Sequence, residues 1–239
     1  MGQAPVYSAD KIVNAPNYAP GPFAPNSILT IFGSGLARSA QGLTAGDIVN
    51  NTPPTELNGT HVYVMGPPAP LLYVSDGQVN FLVPIYLAGE VKIWVARDGW
   101  VGPEITVTLV DAAPALFQTA AGYAIAAHVD NSLIAPSSPA HAGEIIVLYA
   151  TGLGRTLSYP GQAAIPQSAA AIQRLSDLKV YLGGTAIDPA RIQYAGVTPG
   201  SAGLYQINLV LPDSLETDPE IRVAIADQSS PAGLKLAVQ

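Results

Sequence analysis

Aromatic side chains in the first half of the chain are the residues best suited to contact a ligand. Trp94 alternates with the aliphatic residues of segment 91–95 (VKIWV), so we expect its indole to point away from the core. Exposed indole rings offer a large, rigid stacking surface to sugars or to protein partners. The alternative is that Trp94 packs against the other half of the chain or a bent loop. The candidate contact residues are Trp94, Trp100, Tyr63 and Tyr86.

Two Gln-x-Asn pairs recur at matching places in the chain, in segments 77–84 (GQVNFLVP) and 205–212 (YQINLVLP). Such amides can contact a ligand from one strand face, or they can hydrogen-bond the backbone of an adjacent loop and brace the fold. Because both segments keep the pair, we favour the structural role. The four residues are Gln78, Asn80, Gln206 and Asn208.

Residues for catalysis and metal binding are sparse. The chain has no cysteine, and its three histidines have neither the spacing of a zinc motif nor a carboxylate cluster beside them in sequence. Gly33-Ser34-Gly35 lacks the spacing of a nucleophile elbow, so we interpret it as a turn at the end of a strand. We therefore predict no enzyme, no catalytic residue, no metal site and no cofactor, and we leave open a structural Ca²⁺ ion at the acidic turns.

The charge composition excludes two classes of partner. Seventeen acidic residues stand against ten basic ones, with a net charge of −7, whereas binding to nucleic acid or an anionic membrane needs clustered basic residues. No apolar stretch reaches the length of a membrane span, which predicts no membrane insertion. The chain opens with Met1-Gly2 and has no visible secretion signal, so we expect a leader to have been removed.

The elements that position these residues are short strands arranged in a repeat. The 23 glycines, 22 prolines and 49% apolar residues favour many strands joined by tight turns, and we expect one helical turn, over 169–175, with an alanine-rich loop as the alternative. Matching blocks recur in order, which indicates an internal duplication. The first copy has 28–36 (ILTIFGSGL), 77–84, 91–95 and 105–109 (ITVTL), and the second has 145–153 (IIVLYATGL), 205–212, 221–225 (IRVAI) and 234–238 (LKLAV).

These blocks predict an all-β chain of two tandem immunoglobulin-like β-sandwiches, over residues 1–112 and 113–239. Pro84 and Pro212 end their strands, because proline cannot donate to a strand ladder. Segment 123–131 is expected to form a hairpin that opens the second copy. The junction between the copies is then rigid rather than a flexible linker.

The chain resembles an uncharacterised family of C-terminal domains on exported acidobacterial (Solibacter-type) proteins, over nearly its whole length. The resemblance implies an extracellular location and a β-sandwich, and it brings no known activity or catalytic residue. Each half is also loosely similar to the IPT/TIG immunoglobulin-like domains. The matching stretches are 13–21 (VNAPNYAPG), 31–37 (IFGSGLA), 70–84 (PLLYVSDGQVNFLVP), 147–154 (VLYATGLG), 180–184 (VYLGG) and 203–208 (GLYQIN).

Together these features favour a secreted or cell-surface module without catalytic activity, serving in adhesion, surface attachment or spacing. The expected partners are an extracellular polysaccharide or a surface protein. Three alternatives stay open: a carbohydrate-binding module that uses the tryptophans, a subunit of a surface array or filament, and a hydrolase. The ligand and the oligomeric state are not predictable from the sequence.

Overall fold

The computed structural model of the chain describes residues 3–158 and 165–239, so Met1 and Gly2, where the sequence opens, lie outside the described residues. The regular structure in these ranges is β-strand, and it includes no α-helix. Within the described residues, four short 3-10 turns lie at Ala9–Lys11, Ala45–Asp47, Leu175–Asp177 and Pro189–Arg191. The expected all-β class is confirmed.

The first ten strands form two sheets around a common core, and we name them the first unit. One sheet has the order β1-β2-β7-β6-β3, and the other has the order β10-β8-β4-β5, with β9 also pairing β8. The strands are β1 (Ile12–Asn14), β2 (Ile28–Phe32), β3 (Gln41–Gly42), β4 (Thr60–Val64), β5 (Pro68–Ala69), β6 (Leu71–Val74), β7 (Gln78–Leu82), β8 (Gly89–Arg97), β9 (Trp100–Val101) and β10 (Ile105–Leu109).

The next ten strands form the second unit, with two further sheets. Their orders are β11-β13-β18-β17-β14, with β12 also pairing β13, and β16-β15-β19-β20. The strands are β11 (Ala115–Leu116), β12 (Ala126–His128), β13 (Ile145–Thr151), β14 (Ala170–Ala171), β15 (Leu178–Leu182), β16 (Thr185–Ala186), β17 (Ile192–Val197), β18 (Tyr205–Val210), β19 (Ile221–Ile225) and β20 (Gln228–Ser229). The run β2-β7-β6-β3 corresponds to β13-β18-β17-β14, and β8-β4-β5 corresponds to β19-β15-β16.

The pairing register repeats between the units residue by residue. Asn80 lies opposite Thr30 in the first unit, and Asn208 lies opposite Val147 at the equivalent place in the second. Each unit also has a register shift at the same place. In the first unit, where β6 pairs with β7, the shift lies between Leu71 and Tyr73. In the second unit, where β17 pairs with β18, it lies between Ile192 and Tyr194. A one-residue slip would exchange the two faces of a sheet, so an identical register means that the same positions are buried in both units. The predicted duplication is therefore confirmed at the level of strand pairs.

Alternation along the strands decides which side chains form each core. In β8 the side chains of Val91, Ile93 and Val95 are at most 1% exposed, and they pack in the first unit's core together with Leu29 and Ile31 of the opposing sheet. The second unit has its own core cluster, built in the same way from both of its sheets. The apolar face of each sheet is thus buried against its partner sheet, as in an immunoglobulin-like sandwich.

Two local predictions have opposite outcomes. The hairpin over 123–131 is confirmed, because the His128 N–H donates to the Ser132 carbonyl at 2.9 Å and the Asn131 N–H donates back to His128 at 3.0 Å. The helical turn over 169–175 is wrong. Ala170 and Ala171 instead form β14 and pair with β17, because sheet pairing in the fold overrides the helix propensity of alanine.

Buried polar contacts join the two units. The Thr151 hydroxyl is fully buried, donates to the Gly203 carbonyl at 2.8 Å, and accepts from the Ile28 N–H of the first unit at 3.1 Å. Beside it, Asn26 Nδ2 donates to the Tyr205 hydroxyl at 2.9 Å, and both residues are at most 1% exposed. Each of these groups would lose a hydrogen bond if the units separated.

Two further contacts tighten the junction. The Arg155 guanidinium of the second unit donates to the carbonyls of Ile85 at 3.1 Å and Leu87 at 2.9 Å. Gly203 approaches the first unit so closely that a Cβ atom there would lie 2.5 Å from Leu82 Cδ1. Any larger residue would push the units apart, and its φ of +68° also favours glycine.

Candidate ligand-binding face

Trp94 and Tyr63 form the centre of the candidate face. Strand β4 pairs with β8 so that Tyr63 lies directly opposite Trp94, and their ring centroids are 5.3 Å apart at an interplanar angle of 12°. Their strand neighbours Val62, Val64 and Val95 are buried in the core, so the two rings stand on the outer face of the sheet. Both side chains are partly exposed.

His61 extends this stack by one ring. It lies two residues before Tyr63 on the same face, with ring centroids 5.8 Å apart at an angle of 34°. The His61 Nδ1 donates to the Thr55 carbonyl at 2.9 Å, and Nε2 lies 3.5 Å from a Glu56 carboxylate oxygen. These contacts hold the imidazole in place. We name the three rings of His61, Tyr63 and Trp94 the aromatic ladder.

Charged residues border the ladder on its other side. Lys92 precedes Trp94 by two residues on the same face, and its Nζ lies 2.7 Å from Glu104 Oε1. Hydrogen bonding to the Glu104 carboxylate raises the pKa of Lys92. The ladder therefore ends at a paired, exposed lysine and glutamate, and the local charges on this side cancel. Aromatic faces next to polar, uncharged or paired groups suit the apolar faces of sugars.

The two tryptophans that the sequence suggested as one site are on opposite faces of the sheet. Asp98 and Gly99 form a two-residue turn, with φ angles of 51° and 82°, so that Trp100 pairs with Arg97. Arg97 comes three residues after the outward Trp94 in β8, so its side chain lies on the opposite face of the sheet. Trp100 is paired with Arg97 and therefore lies on that opposite face too, where it is 50% exposed. The alternation of side chains along β8 and the two-residue length of the Asp98-Gly99 turn could have predicted from the sequence that Trp100 lies on the face opposite Trp94.

Tyr86 also lies apart from the ladder, although the sequence grouped it with Trp94 and Tyr63. Tyr86 is 44% exposed and lies in the loop between β7 and β8, next to the Ile85 carbonyl that binds Arg155 at the junction. Val101 pairs with Ala96 and so shares the face of the ladder, at 57% exposure. His61 and Val101 are members of this face that sequence reasoning missed, because only the strand register brings them there.

The Gln-x-Asn amides bond to each other. Gln78 Nε2 donates to Asn80 Oδ1 at 2.9 Å, and Gln206 Nε2 donates to Asn208 Oδ1 at 3.0 Å, so the geometry repeats in both units. In the first unit the Thr30 hydroxyl adds a second donor to Asn80 Oδ1, at 2.9 Å. The sequence had suggested loop backbone as the partner. Instead the amides form a bond along one strand on the outer face of the sheet.

His128 forms a serine–histidine–carboxylate arrangement that the sequence did not predict. Its Nδ1 bonds to Glu144 Oε1, and Ser138 Oγ lies 3.4 Å from Nε2. However, Nε2 is also 3.2 Å from the Ser138 carbonyl, and a carbonyl and a carboxylate both only accept hydrogen bonds. The bond to Glu144 raises the pKa of His128, which favours the doubly protonated ring. Such a ring has no lone pair with which to take a proton from Ser138.

The described residues contain neither a metal-binding cluster nor a helix that could span a membrane. In ranges 3–158 and 165–239, no group of three or more histidine and acidic side chains is placed to hold a metal ion. Within the same ranges, no helix has the length and apolar character that crossing a membrane requires.

Comparison with known proteins identifies an IPT/TIG domain, which is immunoglobulin-like, at residues 16–109. This range covers most of the first unit and includes the whole aromatic ladder. No curated protein matches the chain.

Several solved structures match the chain at low identity and with TM-scores below 0.5. A surface glycan-binding protein from Prevotella bryantii is 14% identical, with a TM-score of 0.30, over 98% of this chain and 42% of its own. A protein of the same type from a xyloglucan utilization locus of Bacteroides uniformis is 11% identical, with a TM-score of 0.29, over 99% and 50%. One from a mixed-linkage glucan locus of Bacteroides ovatus is 15% identical, with a TM-score of 0.26, over 100% and 48%. The chain thus spans half or less of each of these proteins.

Proposed function

We propose that this chain is a non-catalytic extracellular module that holds two immunoglobulin-like units, residues 1–112 and 113–239, in one fixed orientation for adhesion, surface attachment or spacing. The observation that supports this most is the buried polar junction, where Thr151 contacts Ile28 and Asn26 contacts Tyr205. The IPT/TIG domain at residues 16–109 is consistent with it. Membership of the acidobacterial C-terminal domain family belongs to the same proposal.

The chemistry of the junction is the reason for expecting rigidity. Apolar surfaces can slide past each other at little cost, whereas a buried hydroxyl or amide is stable only where its partner has the right distance and angle. The junction has buried groups of this kind in both units, and the arginine contacts of Arg155 lie beside them. One relative orientation satisfies all of them at once.

The site chemistry supports a function without turnover. His128 has the partners that a catalytic histidine would need, but both of its ring nitrogens face acceptors. Ser138 is therefore without a general base in this arrangement. A secreted or surface location and a polysaccharide or surface-protein partner complete the proposal.

Distance measurements between two spin labels test the fixed orientation. The chain has no cysteine, so Glu90→Cys in the first unit and Lys179→Cys in the second introduce unique, exposed labelling sites. We expect one narrow distance distribution, because the junction holds a single geometry. A broad distribution in the otherwise unchanged chain would overturn the proposal.

Junction variants provide the controls for this measurement. Thr151→Ala combined with Arg155→Ala removes the bonds to Ile28, Ile85 and Leu87, and we expect it to broaden the distribution while circular dichroism stays that of a β-protein. Ser176→Ala, an exposed position outside the junction, is expected to leave the distribution unchanged.

Carbohydrate binding at the aromatic ladder is a second candidate function, favoured by the stack of Tyr63 on Trp94. Affinity electrophoresis in gels that contain neutral polysaccharides tests it. We expect Trp94→Ala to abolish any retardation and Trp100→Ala, on the opposite face, to leave it intact. Equal losses in both variants, or no retardation of the unchanged chain, would contradict this candidate.

A further inference from the structure

One apolar row of the first unit is covered by the second unit. Ile28 of β2 pairs with Leu82 of β7, and the two residues are 9% and 0% exposed. Ile28 alternates with Leu29, which lies in the first unit's core, so Ile28 stands on the outer face of the sheet. Gly203 of the second unit lies against this row, where a Cβ atom would be 2.7 Å from Ile28 Cγ1 and 2.5 Å from Leu82 Cδ1. We name Ile28 and Leu82 the covered row.

The second unit has the same row, but there it is exposed. Ile145 of β13 pairs with Val210 of β18 at the place that corresponds to the covered row. Ile145 is 37% exposed, and Val210 is partly exposed. Val129, which directly follows β12 at the same end of the sheet, adds a side chain that is 68% exposed. We name Ile145, Val210 and Val129 the open row.

The junction within the chain shows what kind of surface fits on such a row. Aliphatic side chains at equivalent backbone positions are buried in one unit and exposed in the other. Grouped apolar side chains on a surface mark a site of contact with a partner. The covered row is closed by the end of an immunoglobulin-like unit, the end that carries Gly203. The same end of another such unit is therefore the partner that suits the open row.

The first unit offers an end of this kind at the far end of β2. At the junction the second unit contributes the Thr151 hydroxyl, which accepts from a backbone N–H, and the Arg155 guanidinium, which donates to backbone carbonyls. The sequence blocks that the two units share place Ser34 and Arg38 at these two positions of the first unit. Ser34 is exposed, and the Arg38 side chain is 67% exposed. We name the end with Ser34 and Arg38 the far end.

The charges at the open row suit an arginine. Arg155 donates to the carbonyl of Ile85, the residue after the proline that follows β7. The equivalent residue after β18 is Asp213, whose side chain is 83% exposed. Arg191 lies 2.9 Å from this carboxylate, and a carboxylate has enough lone pairs to accept from a second guanidinium. Two open rows facing each other would instead bring two Asp213 carboxylates to one interface, which is unfavourable.

We propose that the open row binds the far end of a second copy of the chain, with Asp213 of one copy next to Arg38 of the other. The copies then associate head to tail, and such assemblies lengthen unless they close into a ring. The β6–β7 turn of the far end, 75–77, is shorter than the turn at 198–204 that includes Gly203, so the contact is smaller than the junction. The proposal rests on the contacts of the junction and does not depend on the aromatic ladder.

Sedimentation velocity of the full chain over a concentration series tests the proposal. Units linked in one chain meet at an effective concentration in the millimolar range, so the series runs from ~10 µM to ~1 mM. We expect the mean sedimentation coefficient to rise with concentration, and to rise less in high salt, which screens Arg38 from Asp213. Ile145→Asp and Arg38→Glu should each weaken association about tenfold or more. A chain that stays monomeric throughout the series would overturn the proposal.

A matched control locates the contact. Val101→Asp introduces the same charge at another exposed aliphatic residue, 57% exposed on the face of the aromatic ladder. We expect this variant to associate as the unchanged chain does. Association that Val101→Asp abolishes and Ile145→Asp leaves intact would contradict the assignment to the open row.

Mixing the two interface variants tests the head-to-tail arrangement. Ile145→Asp keeps a working far end, and Arg38→Glu keeps a working open row, so we expect their mixture to form dimers and no longer assemblies. A symmetric contact between open rows would leave Arg38→Glu associating as the unchanged chain does, and that result would also overturn the proposal. Urea denaturation checks that the variants are folded, and Arg38→Ala, which adds no negative charge beside Asp98, is the second variant at the far end.

Discussion

Two equivalent surfaces of the molecule carry different side chains. On the outer face of the first unit, β4 and β8 bring Tyr63 opposite Trp94. In the second unit, β15 and β19 pair in the same register and bring Lys179 opposite Ala224 at that place. The backbone geometry is the same, so the stacked rings are not needed to form this pair of strands. The aromatic ladder therefore distinguishes the first unit from the second.

The opposite faces of the same strands show no such divergence. Ile93 and Val223 hold equivalent positions, and both are fully buried in their cores. The Gln-x-Asn bond also recurs, at 2.9 Å and 3.0 Å. Features that both units keep maintain the sandwich, and a feature of one unit alone is the better candidate for function. This contrast can be tested position by position.

Core truncation is expected to have the largest effect, and in both units. Ile93→Ala should lower the free energy of unfolding by about 2–5 kcal/mol, and Val223→Ala by somewhat less because valine loses one methylene group fewer. Urea denaturation followed by tryptophan fluorescence and circular dichroism measures both. The outward Lys92→Ala, which breaks only an exposed ion pair, should cost ~1 kcal/mol or less. A core variant as mild as this control would show that the buried faces are not equivalent.

Breaking the stacked pair is expected to have an intermediate effect. In a double-mutant cycle of Tyr63→Ala and Trp94→Ala, we expect a coupling free energy of about 0.5–1.5 kcal/mol from ring–ring contact. Denaturant titration of the four proteins gives this value. Strictly additive losses would mean that the two rings, although stacked, do not stabilise each other.

The double change Tyr63→Lys with Trp94→Ala copies the second unit's pair into the first. We expect the chain to stay folded with the first unit's cooperative transition intact. Any polysaccharide binding by the ladder should disappear. Loss of folding in this variant would show that the first unit depends on its aromatic pair for structure.

Replacing a single hydroxyl tests the shared amide bond. Thr30→Val gives the first unit the residue that the second has at Val147, and it removes the 2.9 Å bond to Asn80 Oδ1. We expect a loss of about 0.5–1.5 kcal/mol in the free energy of unfolding, the usual net value of one hydrogen bond. Calorimetry of Thr30→Val and of the reciprocal Val147→Thr measures the difference. An unchanged free energy of unfolding in Thr30→Val would mean that the hydrogen bond from Gln78 alone satisfies Asn80 Oδ1.

How much the sequence predicts depends on how local the signal is. Strand alternation and the repeated blocks involve neighbouring residues, and they predicted both sandwiches and the Gln-x-Asn pairs in matching places. The ladder requires the register between β4 and β8, strands that are distant in the chain, and no local pattern encodes it. For the same reason Glu144 was not recognised as the partner of His128, which only the pairing of β12 with β13 brings near.

The smallest expected effect concerns one position at which the two units carry different types of side chain. Asn14 lies opposite Leu29, and His128 lies opposite Ile146, which is the equivalent residue of the second unit. In the first unit this position carries a buried amide whose oxygen has no hydrogen-bond partner within residues 3–158 and 165–239. In the second unit it carries an imidazole bonded to Glu144, and that bond raises the pKa of His128.

The raised pKa predicts how stability changes with pH. A histidine whose folded pKa exceeds the unfolded value of about 6.5 stabilises the fold fully below that value, and the contribution is lost as the pH rises through the folded pKa. We therefore expect the Tm of the unchanged chain to fall relative to His128→Asn as the pH rises from about 6 to 8. His128→Asn copies the residue of the first unit and leaves His61 and His141 in place in both proteins. Identical Tm profiles would show that the bond to Glu144 does not favour the protonated ring, and the serine–histidine–carboxylate arrangement would then regain a nitrogen able to accept a proton.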